Sequence, residues 1–252
     1  MSQKNLNKKL KLLFKSLKIK KGDKIIIHSN IAGLLQFYGN SKEAACKVFF
    51  SFLKKYLGKK GVIIIPTYNY QFTKNKKFNI ETSPSEVGFF SNYLLKKYWK
   101  KRTFDPIFSH LIFGKIKKYN VKRVHLEAFG YDGIFASLLE NNFKILCFCC
   151  STERITFIHF IEYIFKVPYR YVKKFKNFLE YKKIKKKIVY RYFVGKKKYD
   201  YSFKEKKINN LSDHINFIKH DFGRFECYSV SCDYLFKSIG KKIKKDKNFL
   251  IK

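Results

Sequence analysis

Short apolar runs alternate with helix-like segments along this chain, and that alternation constrains the fold more than any other feature. The runs at 24–28, 61–66 and 144–150 are rich in bulky apolar residues and are predicted to be buried strands. Segments 4–18 and 44–57 carry apolar residues at helical spacing and are predicted to be helices. Strands that alternate with helices in this way predict an α/β sheet domain.

The other predicted elements continue this alternation to the end of the chain. Residues 67–85 are expected to form an irregular loop. The remaining expectations are a helix from Pro84 through about 101, a strand at 107–114, a short helix closing at 137–141, a helix from Thr156, a hairpin at 182–194, a helix at 213–220, a strand at 226–230 and a helix at 232–241. We expect a single domain over 1–252. The Lys-rich stretch 173–188 marks where a smaller C-terminal lobe would begin, at about residue 173.

The chain is strongly basic, but its basic residues are not gathered into one segment. It has 252 residues, 46% of them hydrophobic, and its 56 Lys and Arg against 18 Asp and Glu give a net charge of +38. Such a charge favours polyanionic partners, nucleic acid among them. Because the basic residues are spread over the whole sequence, we do not expect nucleic acid to be the partner. CoA or a nucleotide sugar would be attracted equally well.

Nothing in the sequence indicates export or membrane insertion. The N-terminus is basic and amphipathic without a cleavage site, and no run reaches the ~18 apolar residues that a membrane span requires. We therefore expect a cytoplasmic protein with reduced cysteines and no stable membrane insertion. Cys147, Cys149 and Cys150 lie in a predicted strand and lack a second pair at zinc-ligand spacing, so no metal site is expected.

Thr156, His159 and Glu162 place a polar side chain at every third position of an otherwise apolar segment. Residues three apart are neighbours on a helix surface, so a hydroxyl, an imidazole and a carboxylate would lie close together. Such a group in apolar surroundings can transfer protons. From spacing alone, a proton-transfer site and a structural core histidine are equally compatible with the motif.

Two further places suit a ligand. His28 and Ser29 end the first predicted strand, and ligands of α/β sheets bind outside the carboxyl ends of the strands. Arg102 and Ser109 flank a turn at Pro106, where a guanidinium and a hydroxyl suit a phosphate. Both combinations also occur in ordinary turns, so neither decides a function by itself.

Taken together, these motifs resemble the aminoglycoside 3-N-acetyltransferase family, with the matches in the order that the family shows. The matching segments are Gly22-Asp23 with Ile26-Ile27-His28-Ser29, Gly61 to Tyr68, Ser83-Pro84-Ser85-Glu86-Val87-Gly88, the set Arg102, Pro106, Ser109 and Gly114, Phe129-Gly130, and Thr156-x-x-His159-x-x-Glu162. The likeness covers about residues 20 to 170 well and the C-terminal part loosely. Asn30 and Asp105 depart from the pattern, standing where many members have serine and histidine.

The resemblance implies a central mixed β-sheet flanked by helices, and acyl transfer to a sugar amine from acetyl-CoA or a short hydroxyacyl-CoA. His159 would be the base that removes the amine proton, since an imidazole titrates near neutral pH. Either Glu162 or Asp200 would orient its ring, and the sequence leaves both open. Thr156 or Ser29 would donate a hydrogen bond to the thioester oxygen as it becomes negative.

The same resemblance suggests contacts for the co-substrate. His28, Ser29, Arg102 and Ser109 would bind CoA, the last two at its phosphates, and no metal is needed.

The expected acceptor is the amine of an amino sugar. Similarity to members that acylate amino sugars for surface polysaccharides, carried by Tyr169-Arg170, Tyr192-Phe193-Val194 and the ending 247–251, favours a nucleotide-linked sugar of a lipopolysaccharide pathway. Acetylation of an aminoglycoside antibiotic is the alternative, which composition disfavours because a polycation needs an acidic pocket and acidic residues are few. A basic nucleic-acid-binding protein is the alternative of another class. A homo-oligomer is left open.

Overall fold

The structure of this chain, a computed structural model, describes residues 2–39, 41–74, 76–211 and 216–251. Its strands are β1 (Lys24–Ser29), β2 (Val62–Pro66), β3 (Phe78–Asn79), β4 (His110–Phe113), β5 (Lys144–Phe148), β6 (Arg170–Tyr181), β7 (Ile184–Gly195), β8 (Phe217–Phe222) and β9 (Phe225–Ser231). Its α-helices are α1 (Gln3–Ser16), α2 (Ala32–Tyr38), α3 (Lys42–Leu57), α4 (Phe89–Tyr98), α5 (Ile134–Glu140), α6 (Phe157–Ile164), α7 (Phe203–Asn209) and α8 (Cys232–Lys245).

A mixed sheet of six strands forms the centre, in the order β4-β2-β1-β5-β9-β8. Strand β1 is parallel to both β2 and β5, whereas β4 and β9 run antiparallel to the strands they pair with. Ile25, Ile26 and Ile27 of β1 are all buried, as expected for a strand that is covered on both faces. Because β1, β2 and β5 are parallel, their carboxyl ends meet at one edge of the sheet.

Helices cover both faces of this sheet. Ile26 packs into one apolar cluster, which includes buried residues of α5, α6 and α8. Ile25 and Ile27 point to the other face and pack into a second cluster with α1, α3 and α4. This division follows from the two-residue period of a strand. The predicted α/β class, with a central mixed sheet flanked by helices, is confirmed.

Local sequence signals explain where several helices begin and end. The Ser41 hydroxyl accepts a hydrogen bond from the Ala44 amide at 3.2 Å, which caps α3 at the predicted residue. Ser231 caps α8 in the same way, with its hydroxyl 3.0 Å from the Tyr234 amide. Helix α4 begins at Phe89 rather than near Pro84, because Gly88 before it has a φ of 113° and does not continue a helix backwards.

Strands β6 and β7 form a long hairpin that joins β3 in a second, three-stranded sheet. The chain reverses at Lys182 and Lys183, both of which have positive φ, so the hairpin covers more chain than the predicted 182–194. Its buried residues Leu179, Ile188 and Tyr190 belong to the same apolar cluster as α6. The single-domain organisation remains a prediction.

Other elements differ from the sequence expectations. The helix predicted at 213–220 is wrong for 217–220, because Phe217–Phe222 pairs with β9 as an antiparallel strand and turns at Gly223, whose φ is 63°. Residues 213–215 lie outside the described residues. Helices α2 and α7 and strand β3 were not predicted. Across the described part of the chain, no helix combines the length and the apolar character needed to span a membrane.

Candidate active site

A cavity of about 780 Å³ lies at the edge where β1, β2 and β5 end, and we call it the reaction cavity. Its walls come from the residues that follow these strands, from the loop before α4 and from the start of α6. The lining residues are Ile27, His28, Ser29, Asn30, Ile31, Pro66, Tyr68, Tyr70, Glu86, Val87, Gly88, Phe89, Ser91, Cys149, Cys150, Ser151, Glu153, Arg154, Thr156 and His159. Its place is the one expected for a ligand site in an α/β sheet.

The first turn of α6 brings two of the predicted catalytic residues to this cavity. Thr156 is the residue before the helix, and the His159 amide donates to its carbonyl oxygen at 2.9 Å. Both side chains line the reaction cavity. Glu162 follows one turn later on the same helix but is buried. The three-residue spacing therefore places the hydroxyl and the imidazole at the cavity and the carboxylate behind them.

Glu162 is the partner of His159. The His159 Nδ1 atom lies 2.6 Å from Glu162 Oε2. Because an ionised carboxylate only accepts hydrogen bonds, this contact assigns the proton to Nδ1 and leaves Nε2 with a free lone pair. The His159 side chain is 20% exposed, whereas that of Glu162 is only 1% exposed. The imidazole thus meets the cavity while its orienting group is shielded from water.

Three buried or nearly buried groups surround the Glu162 carboxylate besides His159. Arg170 Nε lies 2.7 Å from Oε2, the Tyr169 hydroxyl donates to Oε1 at 3.1 Å, and the buried Lys204 ammonium acts through its charge. Burial by itself would raise the pKa of Glu162, but the interaction and hydrogen bond with His159 and the positive charges of Arg170 and Lys204 outweigh it and lower this pKa to about 2.

The same surroundings keep His159 neutral. Burial lowers the pKa of the His159 imidazole well below its ordinary value, and the positive charges of Lys204 and Arg170 lower it further, against the opposing effect of Glu162. Burial also lowers the pKa of the Lys204 ammonium, to about 8. A neutral imidazole with a free Nε2 lone pair can accept a proton from a group in the cavity.

Asp200, the other predicted partner of His159, lies elsewhere. Its side chain is exposed and accepts hydrogen bonds from the Ser202 amide and hydroxyl, each at 2.8 Å. The prediction failed because Asp200 closes its own local turn instead of folding back onto α6. The neighbouring Tyr201 does reach the site region, where its ring lies 5.3 Å from the Arg170 guanidinium.

His28 and Ser29 end β1 on the wall of the reaction cavity, as predicted. Burial and the nearby Arg154 charge lower the pKa of the His28 imidazole to about 4, so this ring is neutral at pH 7. Whether either residue contacts a co-substrate remains a proposal.

Arg102 and Ser109, predicted to contact CoA phosphates, lie in the core instead. Arg102 is 1% exposed and Ser109 is completely buried. The Arg102 guanidinium donates to the Ser109 hydroxyl at 2.9 Å, to the Thr67 carbonyl at 2.9 Å and to the Ser83 carbonyl at 2.6 Å. These contacts tie the loop before α4 to β2 and β4, so the arginine–serine pattern is structural in this chain.

Sequence reasoning missed a group beside Thr156. The Tyr68 hydroxyl lies 3.2 Å from His110 Nε2, and Tyr68 lines the reaction cavity together with Thr156, whose hydroxyl donates to the Arg154 carbonyl at 3.4 Å. Tyr68 lines the reaction cavity, whereas His110 is fully buried behind it. No spacing rule links these residues, because they come from three separate elements. Arg170 and Lys204 were missed as functional groups for the same reason.

The reaction cavity carries more negative charge than the chain as a whole. Glu86 and Glu153 line it together with a single arginine, Arg154. Glu205 lies next to this wall, where its carboxylate accepts a hydrogen bond from the Ser151 hydroxyl. The charge of the cavity lining is therefore opposite in sign to the net charge of the whole protein, which is +38. Within the described residues, no group of three or more His, Cys, Asp or Glu side chains is arranged to hold a metal ion.

A model of the aminoglycoside 3-N-acetyltransferase family matches residues 26–242, which is most of the chain. The chain belongs to this family. It is therefore an acyl-CoA-dependent N-acyltransferase, and the predicted enzyme class and acyl-CoA co-substrate are confirmed. No curated protein sequence matches the chain.

Solved structures with the same fold include three that are informative. The YokD protein from Bacillus subtilis is 14% identical, with a TM-score of 0.76, over 98% of this chain and 94% of that one. AAC-IIIb in a binary complex with CoASH is 13% identical, with a TM-score of 0.79, over 97% of each chain. AAC-VIa bound to sisomicin is 12% identical, with a TM-score of 0.76, over 97% of this chain and 98% of that one. At these identities, the likeness shows a shared fold.

The residues of the reaction cavity fit an acyl-CoA thioester. Gly88 lines this cavity with a φ of 113°, and a Cβ atom at this position would face the Ser29 carbonyl oxygen at 3.7 Å. Glycine is the residue that adopts this backbone conformation without strain. Thr156 and His159 lie on the same cavity, where a thioester and an amine would have to meet.

Proposed function

We propose that this protein transfers an acetyl group from acetyl-CoA to an amino group of an aminoglycoside or a similar polyamine sugar, with His159 as the base. The observation that carries this proposal is the His159–Glu162 pair at 2.6 Å, with its imidazole on a cavity that also holds Glu86 and Glu153. The proposal replaces the polysaccharide sugar as the preferred acceptor.

The base acts through Nε2. An amine that is protonated in water cannot attack a carbonyl carbon, so its proton must leave before or during attack. Neutral His159 takes this proton, and the charge that then forms on the ring is stabilised by Glu162. Arg170 and Tyr169 keep Glu162 in place and ionised. Their role is to position the carboxylate, since neither lies on the cavity wall.

Thr156 is placed to stabilise the opposite charge. Thr156 lies on the cavity one helical turn before His159, and Tyr68 lines the same cavity. A donor in this place would bond the carbonyl oxygen on which negative charge develops during attack. Removing one such donor typically costs about 10²-fold to 10³-fold in kcat. Ser29, which also lines this cavity, is the second candidate donor.

The charge of the cavity supports a cationic acceptor. Two carboxylates, Glu86 and Glu153, face the space next to His159, and they would attract the ammonium groups of a polyamine sugar. They would repel the diphosphate of a nucleotide-linked sugar. AAC-VIa bound to sisomicin and AAC(3)-IVa in complex with a gentamicin share this fold, which adds support for the same acceptor class.

The test compares acceptors on wild type and on Glu86→Gln/Glu153→Gln. We expect acetyl-CoA-dependent acetylation of sisomicin or gentamicin by wild type, and little or none of a nucleotide-linked amino sugar. The double variant should show at least a tenfold higher KM for the aminoglycoside with a smaller change in kcat. Preference for the nucleotide-linked sugar would favour the polysaccharide sugar as the acceptor. An unchanged KM in the double variant would show that the two carboxylates do not bind the acceptor.

A further inference from the structure

The hairpin formed by β6 and β7 has one side on the core and the other side in solvent. On the inner side, the Tyr190 hydroxyl donates to the Asp105 carboxylate at 2.8 Å, and the Asn177 amide donates to the Lys76 carbonyl at 2.6 Å. Side chains directly opposite each other in an antiparallel pair share a face, so the register assigns the residues of the solvent side. We call its exposed members the outer hairpin face: Val172, Lys174, Lys176, Lys185, Lys187, Val189 and Arg191.

The hairpin is more basic than the rest of this basic chain. Residues 170–195 contain ten Lys and Arg against one acidic residue, Glu180, whereas the whole chain has 56 against 18. Glu180 is paired with Lys77 at 3.1 Å, which lies outside the hairpin, and Arg191 is paired with Glu127 at 3.3 Å. The other cations of the outer hairpin face are all lysines, and they form a strip of positive charge along two neighbouring strands. Such a strip attracts a polyanion.

Exposed apolar side chains are concentrated on the same hairpin. Of the eight large hydrophobic residues that are exposed in the described part of the chain, four lie in β6 and β7, which make up about a tenth of the sequence. These four are Tyr171, Val172, Ile184 and Val189. Ile184 is 70% exposed at the turn of the hairpin, next to Lys182 and Lys183. A fifth, Leu126, lies beside β7, because its carbonyl accepts a hydrogen bond from the Arg191 amide at 2.8 Å.

The chemistry of these apolar residues favours one kind of polyanion. Surfaces that bind single-stranded nucleic acid combine basic residues with aromatic rings on which the bases stack. Val172 and Val189 on the outer hairpin face, and Ile184 at the turn, are aliphatic and offer no such ring. Aliphatic groups among lysines match a bilayer with anionic lipids, where the boundary of the acyl chains accepts the former and the headgroups pair with the latter. The exposed ring of Tyr171 also suits the headgroup level of a bilayer.

We propose that the outer hairpin face and the adjoining turn bind the surface of a bilayer that contains anionic lipids. The lysines pair with lipid phosphates, and Ile184 enters the boundary between headgroups and acyl chains. The contact is peripheral, since it uses a two-stranded surface that is fixed to the core by its inner side. The described lining of the reaction cavity includes none of these side chains, so the cavity is not blocked by them. This surface is independent of the proposed acetylation.

The test measures co-sedimentation of the full chain with phosphatidylcholine vesicles that contain roughly one third phosphatidylglycerol, at physiological ionic strength. Each basic residue near such a surface contributes about fivefold to binding, so Lys174→Ala/Lys176→Ala/Lys187→Ala should bind roughly 10²-fold more weakly than wild type. These three side chains are exposed, so the fold should survive, which a thermal melt checks.

A matched control removes the same charge elsewhere. Lys55→Ala/Lys59→Ala/Lys60→Ala changes three exposed lysines at and beyond the end of α3, a helix that packs into the other apolar cluster. Its affinity for the vesicles should stay within about threefold of wild type, because salt screens charges that are far from the bilayer. Equal losses in the two triple variants would reduce the effect to net charge and would overturn the proposal.

A second variant separates a bilayer from nucleic acid. Ile184→Ser/Val189→Thr keeps every charge and removes apolar surface, so it should bind the vesicles roughly tenfold more weakly, while its affinity for poly(U) RNA changes by no more than about twofold. Vesicles of phosphatidylcholine alone should bind wild type poorly. Equal binding to neutral and anionic vesicles would refute the proposal. Vesicle binding that is unchanged in this variant, together with tighter binding of poly(U), would assign the surface to nucleic acid instead.

Discussion

Replacing Glu162 by glutamine separates the charge of this residue from its shape. Glu162 Oε2 contacts both His159 Nδ1 and Arg170 Nε, while Oε1 accepts the Tyr169 hydroxyl. In Glu162→Gln, an amide oxygen in the place of Oε2 keeps the first two contacts. The amide NH₂ then takes the place of Oε1 and can donate to the Tyr169 oxygen, because a hydroxyl also accepts. The tautomer of His159 is preserved, and only the negative charge is lost.

The magnitude follows from the charge that His159 gains during reaction. At a separation of about 4 Å between charge centres, and an effective dielectric constant near 20, an imidazolium and a carboxylate attract each other by about 4 kcal/mol. The amide still accepts a hydrogen bond, which recovers about 1 kcal/mol of this. The remaining loss of about 3 kcal/mol corresponds to a fall in kcat of roughly 10²-fold, since about 1.36 kcal/mol is tenfold in rate.

The assay is the initial rate of CoA release with saturating acetyl-CoA and sisomicin, for wild type, Glu162→Gln and Glu162→Ala. The alanine variant should lose more than the glutamine variant, because it also frees the imidazole to rotate. Both variants leave two buried cations without their carboxylate, so the free energy of unfolding should fall by about 3–5 kcal/mol. Rates are therefore compared only where circular dichroism shows folded protein. A glutamine variant within threefold of the wild-type kcat would refute the electrostatic role of Glu162.

Three more predictions concern Thr156 and Lys204, which neighbour the His159–Glu162 pair, and Asp105, a buried carboxyl of the core. Thr156→Val should lower kcat by about 10²-fold with little change in KM, whereas Thr156→Ser should retain most activity; equal losses in steady-state kinetics would remove the hydroxyl from the mechanism. Lys204→Met should shift the acidic limb of kcat/KM to higher pH, because the Lys204 charge lowers the pKa of His159 and the base must be neutral; an unmoved limb would show that this charge does not reach the ring. Burial raises the pKa of the Asp105 carboxyl from 3.8 to about 6, so its contribution to stability is full below 3.8 and is lost as pH rises through 6. Asp105→Asn should therefore match wild type near pH 4 and exceed it by up to about 3 kcal/mol at pH 8 in denaturant unfolding, and equal curves at both pH values would contradict this.

Most of the central sheet could be predicted from sequence because its parallel strands are buried on both faces. Strands such as Val62–Pro66 are continuous apolar runs, and helices such as Lys42–Leu57 carry both a cap and a periodic face. Strand Phe217–Phe222 could not be recognised, since its place at the sheet edge is set by pairing with Phe225–Ser231. Tertiary pairing overrides local propensity at such an edge.

The residues of the candidate site likewise fall into those that could be predicted from sequence and those that could not. His159 and Glu162 lie on one helix and Thr156 is the residue before it, so their spacing in the sequence predicted that they lie close together. The cations that keep Glu162 ionised come from Arg170, at the start of β6, and Lys204, in α7, which are distant in sequence. Asp200 was predicted as a partner of His159 because it is a carboxylate in a nearby segment of the chain. In the structure, its carboxylate instead accepts hydrogen bonds from the Ser202 amide and hydroxyl within its own turn.

In the proposed mechanism, neutral His159 removes the proton of an amine that receives an acetyl group from acetyl-CoA. The most direct measurement is mass spectrometry of sisomicin after incubation with acetyl-CoA and either wild type or His159→Gln, with CoA release followed in parallel. We predict a singly acetylated product with wild type, and a rate at least 10³-fold lower with the variant although it still binds CoA. Acetylated product formed at a comparable rate by His159→Gln would show that His159 is not the base.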